Sequence, residues 1–355
     1  MNDAAIRLTD DLAYDVEAVR ADFPILSQTV HGKPLVYLDS GASAQKPRAM
    51  IEAMRASFEE CYANVHRGAY DFSERTTAAY EGAREIIRAF LNAKSEREII
   101  FTKNASEAIN LVAYSYGRGL LKAGDTVLIS EMEHHSNIVP WQLLRDATGV
   151  ALKVVPITDD GEFRMDAYAD MLDDSVKLVA VTHVSNVLGT ITPAKKIVDM
   201  AHSVGAKVLF DGSQAVMHMS VDVQDLDCDF YAFTGHKLYG PTGIGVLYGK
   251  EALLEAMPPF LGGGDMISSV TFEKSTWAEL PSKFEAGTPP IVEAIGLGAS
   301  IQYLTGVGIE RVAAHEHDLL TYAMQRLASI EGLRVVGTAP NKTAVISFVM
   351  REAHP

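Results

Sequence analysis

Cysteine is nearly absent. The 355 residues hold two, Cys61 and Cys228, too few for a disulfide framework or for a zinc cluster of several thiolates within one chain. An excess of positive charge is lacking as well. With 31 Lys and Arg against 46 Asp and Glu the net charge is −15, which repels phosphate backbones and anionic membrane surfaces, so nucleic acid is not an expected partner. No apolar run approaches the roughly 20 residues needed to cross a bilayer, and Met1 through Arg20 is acidic and mixed, without a signal-peptide core. The expectation is a cytoplasmic protein with no membrane partner. Internal repeats, low-complexity tracts and obvious linkers are also missing.

What is present is a globular composition, 48% hydrophobic and 22% charged, on a chain long enough for one large domain and a smaller companion. Short β-branched or apolar runs recur at 98–102, 126–130, 152–155, 178–182 and 207–211, mostly separated by stretches of helical length and period. This alternation predicts an α/β fold: a mainly parallel sheet flanked by helices on both faces, since parallel neighbours need a long crossover. Pro34 to Asp39, followed by turn residues 40–43, reads as a further strand entering a loop. After Gly245–Gly249 the alternation weakens, and Gly262-Gly263-Gly264-Asp265 marks a flexible loop or hairpin turn. Amphipathic stretches over 292–304 and 309–330 precede strand-like runs at 333–336 and 344–348. The expected division is a segment 1–30 joining the small unit, a large domain 31–290, and a small α+β domain 291–355.

In sheets of this kind sites form beyond the carboxyl ends of the strands. Residues with chemical capability follow several runs there: Asn104-Ala105-Ser106 after Thr102, His134 after Ser130, Asn186 after Thr182, and Asp211 itself. Any one of them could be an ordinary loop residue. Thr234-Gly235-His236-Lys237 places a lysine on a tight glycine turn with a glycine-rich segment behind it; in isolation this is a solvated lysine beside a structural turn. However, 26 positions earlier a strand delivers Asp211, followed by Gly212-Ser213-Gln214. A lysine with such a carboxylate suits pyridoxal 5′-phosphate, whose ring is an electron sink once its pyridine nitrogen is held protonated. Lys237 is then the Schiff-base lysine, Asp211 the nitrogen's partner and Gln214 a donor to the ring oxygen. Asp211 could otherwise be a cap or turn residue. In Glu133-His134-His135-Ser136-Asn137 a flat imidazole could stack on the ring and move protons near neutral pH. Adjacent histidines also suit a metal, but no Cys or carboxylate stands at ligand spacing, so no metal is expected. Lys103 to Asn110 reads as a small-residue turn opening a helix, able to hold a phosphate, although Ser106 could instead be a simple cap.

The ordered set Asn-Ala-Ser-Glu-Ala-Ile-Asn, Glu-His-His-Ser-Asn, Asp-Gly-Ser-Gln and Thr-Gly-His-Lys resembles the cysteine desulfurases of pyridoxal-phosphate fold type I, a branch of the class V aminotransferases, and among them the Suf type. Asn64 to Gly68, Val184 to Gly189 and Phe284 to Pro289 extend the resemblance, which runs from about Phe23 to the last residue. It implies that Lys237 carries the cofactor and shuttles protons and that His134 stacks on the ring. It also implies that Ala105, Ser106, Thr234 and His236 form the phosphate site and that Asn186 meets the ring oxygen or the substrate carboxylate. A homodimer is implied, with Thr288 reaching the partner's phosphate and His66 and Arg67 lining the partner's site. The implied reaction converts L-cysteine to L-alanine, with sulfur passed as a persulfide to an acceptor protein of the Suf system for iron–sulfur cluster assembly. The family's thiolate, in a loop containing glycine and histidine, and the carboxylate-binding arginine after it are not reached by Pro355. Cys61, expected on a helix, and Cys228, flanked by carboxylates that raise its pKa, are poor substitutes. The expectation is cofactor binding with weak turnover of L-cysteine. A selenocysteine lyase, an aminotransferase of the same fold and a non-catalytic Suf partner are the alternatives.

Overall fold

The computed structural model describes residues 15–351. The start of the expected joining segment and residues 352–355 of the expected small domain lie outside them. The described residues open with α1 (Val16–Ala21), capped by the Asp15 carboxylate, and a hairpin of two-residue strands, β1 (Thr29–Val30) and β2 (Lys33–Pro34). The expected strand over 34–39 therefore ends at Pro34. Beyond it Val36 and Leu38 are 77% and 93% exposed, and no neighbouring strand pairs with them among the described residues.

Helices α2 (Arg48–Glu60) and α3 (Asp71–Phe90) precede the main sheet. Its strands are β3 (Ile99–Thr102), β4 (Thr126–Ser130), β5 (Ala151–Val155), β6 (Val176–Thr182), β7 (Lys207–Asp211), β8 (Phe230–Thr234) and β9 (Gly245–Gly249), in the spatial order β3-β9-β8-β7-β6-β4-β5. Pairings from β8 through β5 are parallel, and β9 runs antiparallel to both its neighbours. Carboxyl ends of β3, β4, β6, β7 and β8 thus share one edge of the sheet. Helices supply the crossovers: α4 (Ala105–Leu111) after β3, α5 (Val139–Thr148) after β4, α6 (Met165–Met171) after β5, α7 (Ala194–Ser203) after β6, and α8 (Ala215–His218) with α9 (Val223–Leu226) after β7.

The strands read as continuous apolar runs because both faces are covered. Alternation sorts their side chains into two cores. Val179, Val181, Val208 and Phe210 join one with α7 and α11 (Ile291–Val307). Leu178, Ala180, Leu209 and Phe230 join the other with α4 and α5. α10 (Glu251–Ala256) follows β9. The Gly262–Asp265 segment is a loop leading into a hairpin, β10 (Ile267–Val270) and β11 (Ser275–Trp277), whose own turn lies further on.

The stretch expected to be amphipathic over 292–304 is a core helix. α11 buries residues around its circumference, packs on α2 and α3, and brings Gly296 against Met54 and Gly298 against Ala83 so closely that a side chain at either would crowd them. α12 (Ile309–Ala328) follows, then an antiparallel pair, β12 (Leu333–Val336) and β13 (Ser347–Met350), the latter starting later than the apolar run at 344 suggested. This outer unit is tied to the main body by His218–Glu316 and Ser220–Glu310 hydrogen bonds of 2.7 and 3.0 Å.

Candidate active site

At the sheet edge where β4, β6, β7 and β8 end lies a cavity of about 850 Å³. Lys237, Asp211, His134 and Gln214 line it, as do Ala105, Ser106, Asn186, Thr234 and His236. These residues come from five segments of the chain, brought together because each ends or follows a strand that stops at the same edge.

Lys237 sits on the turn after β8. Gly235 makes that turn possible, since a Cβ there would lie 2.6 Å from Ile244 Cγ2, while its N–H donates to the Ile244 carbonyl at 2.9 Å. The turn is gripped from outside by Lys46 Nζ and the Ala44 N–H, which both donate to the His236 carbonyl, at 2.9 and 3.2 Å. Burial lowers the Lys237 pKa below the ordinary lysine value, with Asp211 opposing it.

Asp211 ends β7 and is buried, its Oδ1 accepting the Ser213 N–H at 3.0 Å. Gly212 must be glycine because a Cβ would lie 2.0 Å from the Tyr231 ring. Gln214 Nε2 donates to the Gly41 carbonyl at 2.8 Å, which uses one of its two N–H donors, and its buried Oε1 has no hydrogen-bond partner among the described residues.

The cap of α4 is Asn104, whose side chain accepts the Glu107 N–H at 2.9 Å. Ser106 is consequently free of that duty, and its hydroxyl meets Ser136 Oγ at 2.5 Å. Thr234 Oγ1 is buried with no hydrogen-bond partner among the described residues. An unpaired buried hydroxyl is costly and invites a ligand acceptor. His134 Nδ1 accepts the Ser136 N–H at 3.1 Å, and burial lowers its pKa while Asp211 raises it.

Thr288, His66 and Arg67 do not enter this cavity. Thr288 lines a separate cleft of about 330 Å³ with Phe101, Glu107 and Glu293. His66 Nε2 lies 2.9 Å from Glu81 Oε1, and Arg67 is exposed. Neither cysteine lines the cavity. Cys61 lies just past the end of α2, not on it, and Cys228 is fully buried, with burial first and Asp229 second driving its thiol far above the usual range. Among the described residues no group of three or more His, Cys, Asp or Glu is placed to hold a metal.

Two buried groups were missed in the sequence reading. His183, one residue past β6, faces the Tyr231 hydroxyl at 2.9 Å, and burial pushes its pKa down to about 4. Glu133 is buried beside His134. Its Oε1 accepts from Ser130 Oγ and, at 3.0 Å, from the Thr182 N–H; its Oε2 accepts from Asn137 Nδ2 at 2.6 Å. Burial raises its pKa to about 7 against the pull of those donors.

A mainly parallel sheet flanked by helices, with a half-buried lysine and a strand-end aspartate at one edge, is the architecture of the aminotransferase class-V family, whose model matches residues 36–355; the chain belongs to that family. Within it the similarity is to cysteine desulfurases. The enzyme of that name from Synechococcus elongatus is 51% identical over 344 residues, covering 97% of this chain and 55% of that protein. One from Dickeya dadantii is 53% identical over 342 residues, covering 96% of this chain and 83% of its own. The solved cysteine desulfurase of Thermococcus onnurineus superposes with a TM-score of 0.91 at 37% identity, covering 97% of this chain and 84% of that one. The chain thus spans about half the length of some curated relatives and about five-sixths of others.

Proposed function

We propose that this chain forms the pyridoxal-phosphate-binding body of a cysteine desulfurase, acting on L-cysteine to release L-alanine and pass on the sulfur. The observation that carries the reading is the pairing, in one cavity, of a lysine amine with a depressed pKa and a buried strand-end carboxylate, with the unsatisfied Thr234 hydroxyl beside them.

Pyridoxal phosphate would supply an electron sink for the charge left at the substrate Cα, which makes loss of the Cα proton accessible. Asp211 would hold a proton on the ring nitrogen. Lys237, its neutral form favoured by burial, would be the nucleophilic amine that joins the cofactor and, once displaced by the substrate amine, the base that takes the Cα proton. The Ser136 N–H engages His134 Nδ1, leaving Nε2 to hold or pass a proton, and the imidazole would cover the cofactor ring when it is bound. Ala105, Ser106, Thr234 and His236 are the proposed phosphate ligands, and Asn186 the contact for the ring oxygen or the substrate carboxylate. A thiolate attacking the substrate Sγ would form the S–S bond of a persulfide as the Cβ–Sγ bond breaks, with the electron pair kept by the carbon skeleton, which is then protonated to L-alanine. Neither Cys61 nor Cys228 lines the cavity.

The proposal extends to a Suf-type homodimer in which Thr288, His66 and Arg67 serve the partner's site, and to a sulfur-acceptor protein feeding iron–sulfur cluster assembly. The deciding experiment adds pyridoxal phosphate to this chain and to Lys237→Ala, records absorbance, then supplies L-cysteine with a reductant and assays alanine. Wild type should develop a Schiff-base band that L-cysteine shifts, with slow alanine release, and Lys237→Ala should develop none. Identical spectra for the two proteins would refute the assignment.

A further inference from the structure

Resting on that reading, we propose that Glu133 is a positioning residue: its carboxylate clamps the His134 loop to the end of β6, and so sets where the imidazole stands in the cavity it shares with Asp211. The argument begins with a count of donors. Three converge on this one buried side chain: the Ser130 hydroxyl at the end of β4, the Asn137 amide past His134, and the Thr182 N–H at the end of β6. Thr182 is the register partner of Asp211, and its own hydroxyl donates to the Val184 carbonyl at 2.8 Å. One carboxylate therefore ties together the strand before His134, the turn after it and the strand neighbouring Asp211.

The clamp cannot be re-formed with an amide. Asn137 is locked, because its Nδ2 also donates to the Ala180 carbonyl at 3.0 Å and its Oδ1 accepts from Trp141 Nε1 at 2.9 Å, so it cannot turn its oxygen toward Glu133. In Glu133→Gln a nitrogen in the Oε2 position would face the Asn137 nitrogen, donor against donor. A nitrogen in the Oε1 position could donate to Ser130, but it has no lone pair for the Thr182 N–H, which is buried. A protonated Glu133 meets no such conflict. Its O–H can donate to Ser130, which reverses its hydroxyl, while both oxygens continue to accept from Thr182 and Asn137. Oxygen at both positions, rather than charge, is what the site demands.

The test uses the full chain with two variants, Glu133→Gln and the milder Ser130→Ala, which removes one donor and keeps both oxygens. The first readout is the imidazole resonances of His134 in the cofactor-free protein labelled with ¹⁵N-histidine. The second is the rate of the absorbance change when L-cysteine is mixed with the pyridoxal-phosphate-loaded protein. Glu133→Gln should move the His134 resonances while leaving those of exposed His31 in place. It should also lower the limiting rate roughly tenfold, as expected for one broken buried hydrogen bond, with little change in the half-saturating L-cysteine concentration. Ser130→Ala should do both to a smaller degree. If His134 keeps its resonances and the limiting rate holds in both variants, the proposal is wrong; should Glu133→Gln not fold, Ser130→Ala decides alone. A wild type that binds no cofactor would overturn the functional reading, and the resonances of the cofactor-free protein would still decide the role of Glu133.

Discussion

Removing the Glu285 carboxylate should be among the most damaging single changes outside the cavity. Its side chain is 8% exposed and receives four donors: Arg84 Nη1 at 2.7 Å, Arg84 Nη2 at 3.0 Å, the Phe101 N–H at 2.7 Å and the Tyr80 hydroxyl at 3.1 Å. Arg84, itself 1% exposed, keeps only Glu81 and the Ile99 carbonyl once Glu285 is gone. Glu285→Ala thus strands a guanidinium, a backbone donor and a phenol in the interior between α3 and β3. Breaking a buried pair by deleting one partner costs about 3–5 kcal/mol, mostly through the uncompensated charge left behind. At about 2 °C per kcal/mol for a chain of this size, the thermal midpoint should fall by roughly 6–10 °C. The assay is a thermal melt followed by circular dichroism, with Glu52→Ala as the control. Glu52 pairs with Arg55 on the surface of α2, both side chains nearly half exposed, and such pairs contribute about 0–1 kcal/mol. Replacing both partners, Arg84→Met with Glu285→Leu, should recover part of the loss because no fully buried charge is left stranded; Glu81, which loses Arg84, is partly exposed and keeps His66. A Glu285→Ala midpoint indistinguishable from that of the control would refute the account of this network.

Other outcomes follow from the same physics. His183 has a folded-state pKa of about 4 against about 6.5 when unfolded. The unfolded chain therefore binds more protons in that window, and stability should be lost as pH falls through it, by about 3 kcal/mol in all. Denaturant titrations from pH 7 to 4 should show this slope flattened in His183→Asn. Lys237 is shifted in the same direction in a higher pH window: with its folded pKa below the unfolded value of about 10.4, the cofactor-free protein should gain stability as pH rises between the two, and Lys237→Met should lack that gain. Gly212→Ala should destabilise by about 1–3 kcal/mol through collision with the Tyr231 ring and weaken cofactor binding by moving Asp211; an unchanged melt and unchanged cofactor titration would show that the turn relaxes freely.

Legibility in the sequence differed by element for identifiable reasons. The main strands were plain because parallel strands covered on both faces are written as continuous apolar runs, and the parallel α/β architecture followed from their spacing. α11 was misjudged as amphipathic. Its glycines and alanines, neutral to a periodicity reading, let it bury its circumference against α2 and α3. The run from 34 to 39 had strand composition, yet after Pro34 no neighbouring strand among the described residues takes its hydrogen bonds. Within the site, Lys237 and Asp211 were legible because each follows a strand that must end at the functional edge.

The sequence by itself determined the order of strands and helices, the glycines at 212 and 235 without which the Asp211 and Lys237 turns would collide with their neighbours, and the chemical types delivered to the sheet edge. These are local properties, set by side-chain volume, backbone freedom and apolar period. Tertiary structure alone decided that Gln214 turns its amide nitrogen to Gly41, that Thr234 keeps an unsatisfied hydroxyl, that Glu133 is a buried clamp and His183 a buried neutral imidazole, and that neither cysteine reaches the cavity. A carboxylate on the surface and one in the core are the same letter. Burial and the donors that oppose it come from residues as far away in the chain as Thr182 is from Glu133, and only the folded packing brings them within reach.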